Sequence, residues 1–124
     1  MALSLGPLAI HLQIIARRGE EALGLILGRG EDAALLVGIR NVARDKRVEF
    51  LGDPWATIVA HTVAENLGLE VIGVYHTHPC GTPRPSKRDL EGMKAWPYIW
   101  VIASPTGLKA WIMKDGEAVE VPVV

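Results

Sequence analysis

The sequence is short of most features that would take it out of the ordinary globular class. It has a single cysteine, Cys80. An internal disulfide is therefore excluded, and the composition suits a reducing cytoplasm. Net charge is −1 with histidines neutral, which supplies no electrostatic footprint for nucleic acid. No apolar run approaches the roughly 20 residues of a membrane span. The opening stretch, MALSLGPLAIHLQIIARR, has no basic leader and carries its charges at the end. It reads as a helix of the domain rather than a signal peptide. Glutamine occurs once and asparagine twice, a shortage of heat-labile amides that suits a thermophilic source. No repeat or low-complexity block is present.

What remains is 124 residues, 49% of them apolar. That is enough for one domain over 1–124 with a core that needs no staples. Pro7 can open a helix in which Leu8, Leu12 and Ile15 fall at helical spacing; Gly19 ends it. ALGLILG (22–28) and AALLVGIRN (33–41) read as strands, and RVEFLG (47–52) as a shorter one. Asp53-Pro54 is an N-cap followed by a first-turn proline, so a helix should run to Gly68. LEVIGVYHTH is then a strand, a third helix begins near Ser86 and stops before Pro97, and YIWVIAS and LKAWIMK form a pair. Asp115-Gly116 is a hairpin turn into EAVEVPV. Paired strands with three interspersed helices predict an α+β domain with a mixed or largely antiparallel sheet.

The stretch HTHPCGTPRPSKRD (76–89) carries the chemistry. His76 and His78 are two apart on a predicted strand, so their imidazoles share a face and can converge on one ion. Three prolines stiffen the following loop and lower the entropy cost of holding its far end. There Asp89, in the first turn of a helix, can aim a carboxylate back at the strand. Two histidines and one carboxylate are the ligand count of a catalytic zinc, which leaves a fourth position to water. A plainer account exists for half of this motif: Ser86-x-x-Asp89 is also a capping box. The two roles are compatible.

A hydrolase needs a proton carrier as well. Glu20 and Glu21 both precede a buried strand, where desolvation could raise a carboxyl pKa; a solvated turn accounts for at least one of them. Cys80 could swing onto a metal or respond to oxidation, or could be an ordinary loop residue. His11 and His61 belong to no motif and read as surface or packing. Trp100 and Trp111 fall in strands and read as core, whereas Trp55 opens a helix and could be exposed. Arg29, Arg40, Arg44, Lys46 and Arg47 make a loosely basic region best read as solvated surface.

HTHPCGTPRPSKRD fits His-(Ser/Thr)-His-x7-Ser-x2-Asp, and so resembles the JAMM, or MPN+, zinc metalloproteases of the JAB/MPN family. Glu21-Ala22-Leu23-Gly24-Leu25 is similar to that family's Glu-x-x-Gly-Leu segment, which selects Glu21 over Glu20. NVARDKRVEFLGDPWATIVA is similar to its central stretch, with an Asn, a later Phe and an Asp-Pro helix start. The resemblance implies a curved, mixed sheet flanked by helices in a three-layer-like, cytidine-deaminase-like arrangement. It implies zinc on His76, His78 and Asp89 with a water as nucleophile, Glu21 as general base and then acid, and Ser86 beside the oxyanion. The short connections match compact prokaryotic, especially archaeal, members rather than deubiquitinases with long insertions.

The activity implied is cleavage of the amide after the Gly-Gly tail of a ubiquitin-like or small archaeal modifier, in the cytoplasm. Trimming of a sulfur-carrier protein would use the same site. A nucleic-acid-associated module of similar signature predicts a basic groove, against which the net charge speaks. A scaffold with structural zinc would need a fourth protein ligand, for which Cys80 is the nearby candidate. The family makes a homodimer plausible.

Overall fold

The computed structural model describes residues 1–41 and 54–124. Three helices and six strands follow in the order α1 (Leu8–Ala16), β1 (Leu23–Arg29), β2 (Asp32–Ile39), α2 (Pro54–Asn66), β3 (Glu70–Thr77), α3 (Lys87–Ala95), β4 (Ile99–Ser104), β5 (Gly107–Lys114) and β6 (Glu117–Val121). The strand expected at 47–52 and the cap Asp53 lie outside the described residues.

The strands form one sheet in the order β2-β1-β3-β4-β5-β6. Every neighbouring pair is antiparallel except β3 and β4, which run parallel. A parallel pair cannot be closed by a tight turn and needs a crossover. Here the crossover is the proline loop and α3, which is how the 76–89 motif comes to bridge two central strands. The fold is α+β with a mixed sheet between helices, as the sequence predicts.

Period-two alternation along the central strands divides the core between the two faces. Ile26, Tyr75 and Val101 pack on one side with Leu3, Leu5, Leu12 and Ala16, under α1. Leu25, Leu27, Val74 and Trp100 pack on the other with Ala60, Ala64 and Met93, under α2 and α3. The central strands read as near-continuous apolar runs because both faces are covered. Trp100 is buried, as expected, but Trp111 is only partly so, and Trp55 is exposed. The helix α1 ends at Ala16, a turn before Gly19. The hairpin turn holds Asp115 at φ 52° and Gly116 at φ 80°, the left-handed pair that a type I′ connection needs.

Gly24 is fixed by close packing. It pairs with Gly38 on one side and Tyr75 on the other. A β-carbon there would stand on the Tyr75 ring and on the Val37 carbonyl oxygen. The carbonyl belongs to a paired strand and cannot step aside. Gly24→Ala is therefore expected to destabilise the protein by about 1–3 kcal/mol, the usual cost of overpacking a core. Urea unfolding measures this, and unchanged stability would contradict the packing account.

Candidate metal centre

Three chain segments converge at one end of β1 and β3: the residues before β1, the end of β3 and the start of α3. His76 is the penultimate residue of β3 and His78 follows its last. The His78 amide still donates to the Ala103 carbonyl (2.8 Å), so the extended backbone continues far enough to keep both rings on one side. The ring centroids are 4.8 Å apart and the planes nearly perpendicular. His76 is buried, and Leu23 of β1 pairs with it across the sheet. Glu21, two residues before Leu23, is buried too, with Oε1 3.0 Å from His76 Nε2. Glu20 is exposed.

The proline loop is anchored before it delivers α3. Trp111 Nε1 donates to the Pro83 carbonyl (2.9 Å). His78 Nδ1 lies 2.7 Å from the Thr82 carbonyl. The loop ends in a complete capping box: the Asp89 amide donates to Ser86 Oγ (3.1 Å), and the Ser86 amide donates to Asp89 Oδ2 (2.8 Å). The cap and the convergence of ligands thus coexist. Asp89 is fully buried, with Oδ1 2.8 Å from His76 Nδ1 and Oδ2 2.9 Å from His78 Nε2.

The proton inventory favours a cation. A carbonyl opposite His78 Nδ1 can only accept, so Nδ1 carries a proton. His78 Nε2 then faces the Asp89 carboxylate. It must either hold a second proton or turn its lone pair to a cation. Burial lowers the His78 pKa, but the hydrogen bonds to Asp89 and Thr82 outweigh this and raise it. Burial likewise raises the Asp89 pKa, and the hydrogen bonds to His76 and His78 outweigh it, holding the carboxyl well below its usual range. Glu21 Oε2 is buried and has no hydrogen-bond partner among the described residues. A buried carboxylate oxygen left in this way is costly unless something positive meets it. Glu21, His76 and His78 each offer a ligand atom within 4.8 Å of the others, and Asp89 touches both rings. These residues fit a divalent ion, and the His78–Thr82 contact would leave Nε2 as the ring atom free to bind one.

Without metal the same groups make stability depend on pH in both directions. The raised His78 pKa contributes stability that is fully present below its ordinary 6.5 and is lost as pH rises through the shifted value. The lowered Asp89 pKa contributes stability that is present above its ordinary 3.8 and is lost on acidification. Chelator-treated protein is thus expected to gain most from this cluster between about pH 4 and pH 6.5. Thermal unfolding across that range should show Tm falling on either side; a Tm rising steadily from pH 5 to pH 8 would contradict the ring–carboxylate pairing.

The structure brings Glu21, His76, His78 and Asp89 together, with Ser86 exposed at their rim. It does not bring in Cys80, which is exposed and outside the cluster, nor the exposed His11 and His61. Thr77, Thr82 and Asn41 went unassigned in the sequence. Thr77 is buried and its Oγ1 accepts from the Ala22 amide (2.8 Å); Asn41 Nδ2 donates to the Glu21 carbonyl (2.9 Å). The threonine between the two histidines was the available signal.

Comparison with known proteins agrees with this geometry. The family model for prokaryotic homologs of the JAB domain matches residues 7–114. A desampylase from Pyrococcus furiosus is 37% identical over 91% of this chain and 81% of its own length. A probable TtuB-protein conjugate cleaving protease from Thermus thermophilus is 31% identical over 85% of this chain and 70% of its own. A JAB1/MPN domain protein from Archaeoglobus fulgidus, 22% identical, superposes with a TM-score of 0.62 over 100% of this chain and 97% of that one. With the clustered side chains, the crossover that delivers Asp89 to them and these relatives in agreement, the chain belongs to the prokaryotic JAB-domain branch of the JAMM/MPN family and is a hydrolase of the isopeptidase kind.

Proposed function

We propose that this protein is a zinc-dependent isopeptidase that hydrolyses the amide joining the C-terminal Gly-Gly of a ubiquitin-like modifier to a lysine. The observation that carries the reading is the cluster of two imidazoles and two carboxylates, with a buried Glu21 oxygen that no donor among the described residues meets. His76, His78 and Asp89 would hold the metal. Zinc, when bound, polarises a carbonyl and lowers the pKa of water to about 7.

The protein's own groups do the rest. Glu21 Oε2 is available to take a proton from the attacking water, and Glu21 then returns it to the leaving lysine nitrogen. The Ser86 hydroxyl accepts from the Asp89 amide and keeps its own proton to donate to the developing oxyanion. The modifier tail would pair along an edge strand. Among the described residues β2 is an edge of the sheet, and its last residue, Ile39, pairs with Leu23 next to His76. The relatives named for removing or cleaving modifier conjugates support this substrate class. The single cysteine suits work in the cytoplasm.

The test is a defined conjugate, one modifier on one lysine, incubated with zinc-loaded protein and followed by mass spectrometry. The expected products are the modifier with a free Gly-Gly carboxylate and the unmodified lysine. A conjugate that stays intact, with zinc bound throughout, would overturn the proposal.

A further inference from the structure

We propose that Thr77, assisted by Asn41, is a positioning residue for Glu21, holding the Glu21–Ala22 peptide unit from both ends. The inference rests on the reading of Glu21 as proton carrier. Glu21 precedes β1, which begins at Leu23, so no strand ladder fixes its backbone. Yet its side chain is buried and reaches His76 at 3.0 Å. The carbonyl of its peptide unit accepts from Asn41 Nδ2 (2.9 Å), and the N–H of the same unit donates to Thr77 Oγ1 (2.8 Å). The Thr77 amide then donates to the Ala22 carbonyl (2.9 Å). A peptide unit is planar, so fixing its oxygen and its N–H holds that plane and the Glu21 Cα that lies in it. The carboxylate can then move only through torsions of Glu21 itself.

The arrangement explains what a threonine does between two metal-binding histidines. Along an extended strand, neighbouring side chains point to opposite faces. His76 and His78 face the cluster; Thr77 points away from it, toward the Ala22 amide. The job needs a buried hydroxyl acceptor. Valine has the same shape and cannot do it; serine can.

The experiment compares native, Thr77→Val, Thr77→Ser and Asn41→Leu proteins, each zinc-loaded. For Thr77→Val, kcat is expected to fall about 10–100-fold, the scale of a misplaced catalytic group, with KM and zinc content unchanged. Thr77→Ser should restore kcat to within about threefold of native. Hydrogen exchange of the Ala22 amide should accelerate in Thr77→Val and not in Thr77→Ser. Asn41→Leu, which frees the other end of the peptide unit, should lower kcat in the same way. Native kcat in Thr77→Val, or zinc lost in step with activity, overturns the proposal. Should the native chain cleave no conjugate, the function proposed above falls. The clamp is then decided by Ala22 exchange and by a crystal structure of Thr77→Val. A displaced Glu21 carboxylate supports it; a Glu21–His76 contact unchanged from 3.0 Å overturns it.

Discussion

Glu21→Gln is expected to lower turnover by about 10²–10⁴-fold, the range for loss of a general acid–base group, and to leave zinc in place. Glutamine keeps the shape of the side chain and a polar group opposite His76 Nε2, so the buried site should still assemble. What it loses is the capacity to take a proton and give it back. Activity and metal content, measured on the same preparation, separate the explanations. A near-native rate would move proton transfer to another group. Loss of zinc would place Glu21 among the ligands, a role its position within 4.8 Å of both histidine ligand atoms makes geometrically open.

Asp89→Ala should fail differently, losing metal, activity and stability together. Asp89 is fully buried and meets both imidazoles. It also accepts from the Ser86 amide at the start of α3. Removing one partner of a buried charged set leaves the others uncompensated, at a cost of about 3–5 kcal/mol. Urea unfolding of the chelated proteins measures this without any contribution from zinc. A metal-free Asp89→Ala protein as stable as native would mean that the carboxylate is a ligand only, with no structural share.

How much of this was legible in the sequence depends on how local the determining physics is. Ser86 capping α3 and Asp115-Gly116 turning the last hairpin were readable because each is settled by a few adjacent residues. The i, i+2 spacing of His76 and His78 was readable because strand alternation is fixed. The choice of Glu21 over Glu20 was not readable from spacing, since both precede the same apolar run. It came from a family resemblance, and the structure adds the physical difference: one is buried against His76 and the other is exposed. The clamp on Glu21 was out of reach because Thr77 and Asn41 meet it across the sheet, from 55 and 20 residues away. Trp111 looked like core by strand position, but it lies on a partly covered face, where its indole nitrogen ties down the proline loop.

The proposed function stands or falls on whether Glu21, His76, His78 and Asp89 form a hydrolytic metal site. Zinc determined by elemental analysis in native and Glu21→Gln protein, purified without chelator and assayed on a lysine-linked modifier conjugate, tests it most directly. Equimolar zinc is expected in both proteins, with cleavage by the native protein alone. A native protein that binds no zinc even after reconstitution would contradict the proposed function, and would leave Ser86 and Asp89 as a helix cap.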